Sequence, residues 1–303
     1  MRGVEDAVPT ESMNQRMTIV IVSYNRRDAL WECLRKLMVG SNVPPVIVVD
    51  NSSTDDIARM VAKEFPAVQL ITIAANRGFA AACNQGIRAN SSDFTLLLAP
   101  NTLLNMTELQ KAYDAIRVRP DVGVCAPRII NPDRSLHPTC RAFPTLHAMI
   151  CDELGLSRLF PRSGHFARYR MGGWPHDETR EVNQAGRSCL LVRRAVFEHI
   201  GLFDERFFSC FEDTDLCRRL QQGGWRVLFV TESTATQMKD QDTKTDRTEA
   251  LGYRHQDLFA FYRKHYPPWQ LPVLRLVVQA VGLFRTITGQ RENWPIVKNA
   301  WKL

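Results

Sequence analysis

Thr18-Ile19-Val20-Ile21-Val22-Ser23-Tyr24-Asn25 decides the fold of this chain. Its first five residues are all β-branched, which predicts a strand covered on both faces. Downstream, Leu30, Cys33, Leu34 and Leu37 recur at helical spacing over Asp28 to Met38. The pattern then repeats. Val46 to Val49 predicts a second buried strand ending at Asp50, and Thr54 to Phe65 a helix. Val68 to Ile73 predicts a third strand, Phe79 to Ala89 a helix, and Phe94 to Leu98 a fourth strand. Alternation of this kind predicts an α/β fold, a mostly parallel sheet flanked by helices. Ligands on such sheets collect at the C-terminal strand ends.

Those ends carry Ser23-Tyr24-Asn25, Asp50-Asn51-Ser52-Ser53 and Pro100-Asn101-Thr102. Asp, Asn and Ser also make ordinary turns and caps, but three polar clusters at three strand ends favour a ligand crevice. The first strand is not followed by Gly-X-Gly-X-X-Gly, and the chain has no Gly-Lys-Ser/Thr loop, which disfavours a dinucleotide dehydrogenase or a P-loop enzyme.

Further along, Asn131 to Glu181 is rich in Pro, Gly, His and Arg and reads as loops over a site. Order returns with Cys189 to Val192 as strand, Ala195 to Ile200 as helix and Trp225 to Val230 as the last strong strand. Thr231 to Thr248 reads as polar and mobile. Between these lies Phe207-Phe208-Ser209-Cys210-Phe211-Glu212-Asp213-Thr214-Asp215. Carboxylates walled by Phe are desolvated, which raises their pKa towards values useful for proton abstraction. The alternative is helix capping, in which Asp213 or Asp215 satisfies free backbone donors at the start of Leu216-Cys217-Arg218-Arg219-Leu220.

The chain has 303 residues, 45% of them hydrophobic, enough for one large core or two modest ones, and its net charge of +7 favours anionic partners. The charge forms no basic tract and no nucleic-acid-binding motif is present, so nucleic acid ranks last. Eight scattered cysteines without a Cys-X-X-Cys pair predict buried reduced thiols in a cytoplasmic protein, not zinc or disulfides. Residues 1–16 read as a disordered lead-in, not a signal peptide. Residues 267–303 read as a helical, basic, amphipathic tail. Arg275 and Arg285 argue against a spanning helix, and Trp269, Trp294 and Trp301 fit peripheral docking at the inner face of the cell membrane. A helix folded back onto the domain explains the tail equally well.

Taken together, Val22-Ser23-Tyr24-Asn25-Arg26, Val48 to Asp55, Asn76 to Gly86, Pro127 to Asp133, Trp174-Pro175-His176-Asp177, Leu191 to Arg194 and Gly201 to Phe208 with Glu212-Asp213 resemble the family 2 inverting glycosyltransferases of the GT-A fold, bacterial rhamnosyltransferase-like members above all. The resemblance runs from Thr18 to Tyr266. It implies a glycosyltransferase domain over 17–266, with a nucleotide-sugar half (17–130) and an acceptor half (131–266). Ser23, Tyr24, Asn25, Asp50 and Asn101 would line the nucleotide, and Asn76, Gly78 and Asn84 would shape the donor wall. Asp213 would be the general base, with Glu212 beside it. The implied donor is a dTDP-, UDP- or GDP-sugar, and the implied acceptor a glycan or lipid-linked glycan.

The chain departs from the family where a cation would bind. Ala99-Pro100-Asn101 stands where Asn-Pro-Asp is usual, Gln237 where many relatives have His, and Asn183 at a commonly acidic position. An amide carbonyl can coordinate but brings no charge, so Mg²⁺ or Mn²⁺ at Asn101 and Gln237 is expected to be weak or dispensable. Arg128, Arg187 or Lys239 would then supply positive charge. The competing class is a non-catalytic relative that keeps the fold and binds a nucleotide or a partner.

Overall fold

The computed structural model describes residues 12–40, 42–239 and 244–288, from 244 to 249 as backbone alone. The elements, in order, are α1 (Met13–Arg16), β1 (Met17–Ser23), α2 (Arg27–Leu37), β2 (Val46–Asp50), α3 (Ile57–Glu64), β3 (Gln69–Thr72), α4 (Phe79–Arg88), β4 (Phe94–Leu98), β5 (Thr102–Leu103) and α5 (Met106–Arg117). They continue through β6 (Val122–Ile130), α6 (Leu146–Glu153), α7 (Leu156–Leu159), β7 (Arg180–Val182), β8 (Cys189–Arg193), α8 (Arg194–Ile200), α9 (Glu212–Gln222), β9 (Arg226–Gln237), α10 (Lys244–His265) and α11 (Gln270–Ile287).

One nine-stranded sheet runs β3-β2-β1-β4-β8-β6-β9-β5, with β7 on β9. The first four strands pair in parallel, as do β6 and β9. β8 runs antiparallel to both β4 and β6 and joins these two parallel groups. All seven residues of β1 are buried. Its alternating side chains feed two cores: Ile19 and Ile21 pack with α2, α3 and α5, while Val20 and Val22 pack with α4, α8 and α9. A third apolar cluster joins α6, α10 and α11 to Phe207 and Phe211.

Gly86 lets α4 lie close on this sheet, since a Cβ there would come within 2.4 Å of Val20 Cγ1. All eight cysteines are free, and all but the half-buried Cys210 are buried.

Three expectations need correcting. Thr231–Gln237 is ordered: β9 continues to Gln237, pairing Thr234, Ala235 and Thr236 with β6 across a register shift after Pro127. Thr234 N–H donates to Glu108 Oε2 at 2.7 Å and Ser233 Oγ to Glu108 O at 2.7 Å. Polar β-branched residues therefore serve as strand here because α5 supplies their partners. Within the expected lead-in, Ser12 and Gln15 form a capping box that starts α1, and Met13 is buried; residues 1–11 lie outside the described residues. The loop-like middle contains the short α6 and α7; α6 packs on α11, and α7 on α6. Of the tail, α11 is described, and Trp294 and Trp301 lie outside the described residues.

Candidate active site

At the parallel strand ends, Ser23 and Asp50 are register partners and both are buried. Asp50 Oδ1 accepts from Ser53 N at 2.9 Å. Asn25, at φ 50, accepts from Thr54 N at 2.8 Å and donates its own N–H to Ser53 Oγ at 3.0 Å. Turn chemistry thus zips the two loops together. Ser23 Oγ is the exception, buried and without a partner among the described residues. Tyr24 is exposed.

Asn76, Gly78 and Asn84 build the frame beside these ends. Asn76 Oδ1 accepts from Asn51 Nδ2 at 2.8 Å and Gly78 N at 3.0 Å. Asn84, fully buried, donates to Phe203 O at 2.9 Å and Glu205 Oε1 at 3.0 Å, and accepts from Phe203 N at 3.0 Å. Gly78 sits at φ +85, and a Cβ on it would come within 2.5 Å of Phe208 O. The close approach that requires glycine is therefore to the Phe208 backbone, which also accepts from Phe79 N at 2.8 Å.

The segment after Phe208 carries the acidic pair onto the wall of a cavity of about 310 Å³. Asp213 lines it together with Glu212, Arg187, Arg141, Tyr169, Gln184 and Arg254. Phe211, at φ 64, turns the chain into α9. Asp213 Oδ1 accepts from Thr214 N at 2.7 Å, and Oδ2 from Arg187 N at 3.2 Å. Burial and then the Glu212 charge push its carboxyl up to about 6, against the pull of Arg187. Glu212, only 1% exposed, accepts from Arg187 Nη1 at 2.8 Å through Oε1, while its Oε2 has no partner among the described residues. Arg187 Nη1 also donates to Ser209 O, and the guanidinium lies 4.8 Å above the Phe79 ring. Burial pushes that guanidinium down, but Glu212 outweighs it and holds it above its ordinary value. Asp215 belongs elsewhere: fully buried, it pairs with Arg219 (2.8 Å), Lys264 (2.6 Å) and His265 (2.6 Å).

Some anticipated residues lie off the cavity wall. Asn183 is exposed, and its neighbour Gln184 lines the cavity instead. Arg128 sits in β6 opposite Thr234, and Lys239 is exposed. Asp257, which the sequence reading passed over, accepts from the N–H groups of Phe208 (3.2 Å), Ser209 (2.9 Å) and Cys210 (2.9 Å) and so holds the loop before the acidic pair. Its signal was an acid directly before the apolar run Leu258-Phe259-Ala260-Phe261-Tyr262.

Residues 15–259 match the family described as glycosyltransferase like family 2. The chain belongs to that family. It is 29% identical over 280 residues to the N-acetylglucosaminyl-diphospho-decaprenol L-rhamnosyltransferase of Mycobacterium tuberculosis, covering 87% of this chain and 89% of the relative. It is 22% identical over 262 residues to rhamnosyltransferase WbbL of Escherichia coli K12, covering 84% and 89%. Its fold is similar to that of mannosyltransferase PcManGT from Pyrobaculum calidifontis, a structure in complex with GDP-Man and Mn²⁺; the TM-score is 0.54 at 16% identity, covering 97% of this chain and 76% of that one.

The two residues that the sequence resemblance assigned to a cation, Asn101 and Gln237, are both neutral amides. Asn101 is buried, with Nδ2 3.4 Å from Met238 O, and Gln237 Oε1 accepts from Thr102 Oγ1 at 3.0 Å. Both amides lie near the pairing of β5 with β9, where Thr102 is the register partner of Gln237, and neither brings a negative charge. Among the described residues no three His, Cys, Asp or Glu side chains converge on a point. With no carboxylate and with Gln237 Oε1 already accepting from Thr102, this donor set does not fit a hard divalent cation, which is held mainly by charged carboxylate and phosphate oxygens.

Proposed function

We propose that the protein is an inverting glycosyltransferase that moves a sugar from a dTDP-, UDP- or GDP-sugar to a glycan or lipid-linked acceptor, with Asp213 as general base. The observation that carries this is the Asp213 carboxylate on the cavity wall, pushed up to about 6 by burial and Glu212. A base of that strength is ionised at neutral pH yet still accepts a proton from a hydroxyl during attack. The acceptor hydroxyl gives its proton to Asp213 as its oxygen bonds to the anomeric carbon. The carbon–oxygen bond to the diphosphate breaks on the opposite side, the diphosphate leaves with the electron pair, and the configuration inverts. The Ser23 Oγ beside Asp50, without a partner among the described residues, supports a nucleotide at the strand ends. Rhamnose and a polyprenyl-diphosphate-linked acceptor are the first choices because the relatives' names carry them. Such an acceptor would place the protein at the cytoplasmic face of a membrane.

The test is transfer from a panel of sugar nucleotides by wild type and Asp213→Asn, with the product's anomeric configuration read by NMR. Loss of about 10²–10⁴-fold in kcat for the variant, with donor affinity kept, is expected. A product of retained configuration would refute inversion. The second reading is a non-catalytic nucleotide- or partner-binding member, favoured by the neutral Asn101 and Gln237. Equal inactivity of both proteins with donor binding intact would establish it.

A further inference from the structure

We propose that the Arg187 guanidinium holds the donor diphosphate in this member of the family, in place of a divalent cation. The proposal rests on the donor reading above and adds the group that meets the charge of the departing diphosphate. Of the three cations the sequence offers for this task, Arg187 alone lines the cavity with Asp213. Its position follows from the sheet: Ser188 O accepts from Ala99 N at 3.0 Å, so Arg187 stands beside the end of β4, where Pro100-Asn101 begins. Arg128, whose Nε is buried without a partner among the described residues, is off the cavity wall on β6. Lys239 is exposed, with its charge near Asp133.

The guanidinium is fixed before any ligand arrives. Nη1 is engaged by Glu212 Oε1 and Ser209 O, and the Phe79 ring supports one face. Nε and Nη2 have no acceptor among the described residues, and these two atoms form the parallel-donor edge that matches two oxygens of a phosphate. Glu212 thereby acts as a positioning residue for Arg187. A fixed cation of this kind stabilises charge that develops on the leaving group without reorganising. Its use also makes the amides at 101 and 237 intelligible, since no carboxylate cage is needed.

The experiment is titration calorimetry of dTDP, UDP and GDP on the full chain, in EDTA and in Mn²⁺. Wild type is expected to bind one of them with affinity equal within about twofold in the two buffers. Arg187→Gln combined with Glu212→Gln, which leaves no orphaned buried charge, should weaken that binding by at least about tenfold in both. Arg187→Lys, which keeps the charge without the fork, should fall between. A wild-type affinity that drops about tenfold or more in EDTA would overturn the proposal, and that measurement needs no variant to fold. So would a folded double variant that binds as tightly as wild type. Failure of all three diphosphates to bind in either buffer would instead remove the donor reading itself, and this proposal with it.

Discussion

Asp213 feels three influences at once: burial and Glu212 push its carboxyl up, and Arg187 pulls it back. As general base it works only when ionised. kcat/KM should therefore rise about tenfold per pH unit below about 6 and level off above it. Arg187→Gln alone takes away the charge that favours ionisation, so its midpoint should move to higher pH, while Arg187→Lys, which keeps the charge, should move it less. The same shift bears on stability with the opposite sign. A carboxyl raised in the folded state stabilises fully below its unfolded value, and that contribution is lost as pH rises through about 6. Asp213→Asn should consequently unfold at the same or a higher temperature than wild type at pH 7.5, while transfer is lost. A marked fall in Tm would show that the carboxylate holds the fold together. The acidic pair was legible in the sequence because its Phe neighbours are adjacent in the chain. That Arg187 engages both acids, through its backbone N–H and its guanidinium, was not, since the residues before β8 and the start of α9 meet only in the folded chain.

Asn76, Gly78 and Asn84 show what changes between residue and element. The sequence places them near the donor, and the structure engages their polar groups with the protein's own backbone. Gly78 answers to Phe208, a residue 130 positions away that no local pattern reveals. Ala there would need a φ that L residues avoid and would meet the Phe208 carbonyl. Gly78→Ala should cost about 1–3 kcal/mol of stability, and because Phe208 leads into the acidic pair, transfer should fall with it. Asp257 tests the same loop from the other side. Three backbone donors converge on its carboxylate from α10. Asp257→Asn puts an amide NH₂ against N–H groups, and a loss on the order of 3 kcal/mol in chemical denaturation is expected. Unchanged stability would mean that the Phe207–Phe211 cluster alone holds the loop. The strands and helices up to β4 were readable from periodicity because apolar spacing is a local property. β9 beyond Thr231 was not, because its polar residues become strand only through partners on α5 and β6.

At the scale of the whole molecule, α6 and α11 pack into the third apolar cluster, α7 packs on α6, and the three helices expose what they do not bury. Arg285 ties α11 to α6 by donating to Glu153 O at 2.7 Å. Leu154, Leu159 and Phe160 stand out from α6 and α7, and Leu276, Phe284 and Ile287 from α11. Exposed Arg158, Arg162 and Arg168 flank the first group. By length and composition α11 is apolar enough to cross a bilayer, with mean hydropathy 1.2 and 17% of it buried. Yet Leu274 and Val278 pack into the third cluster, which ties one face of this helix to the domain. An apolar surface with arginines beside it suits the interface of an anionic bilayer, where a polyprenyl-linked acceptor would reside. Full-length protein should therefore sediment with phosphatidylglycerol vesicles, less with phosphatidylcholine, and less as salt rises. Replacing Leu159, Phe284 and Ile287 together by Ser removes three large side chains from that contact. It should lower partitioning by at least about tenfold while transfer to a short soluble acceptor persists. Equal sedimentation of the triple variant and wild type would assign binding to another face, and loss of both activities would mean that these residues support the fold.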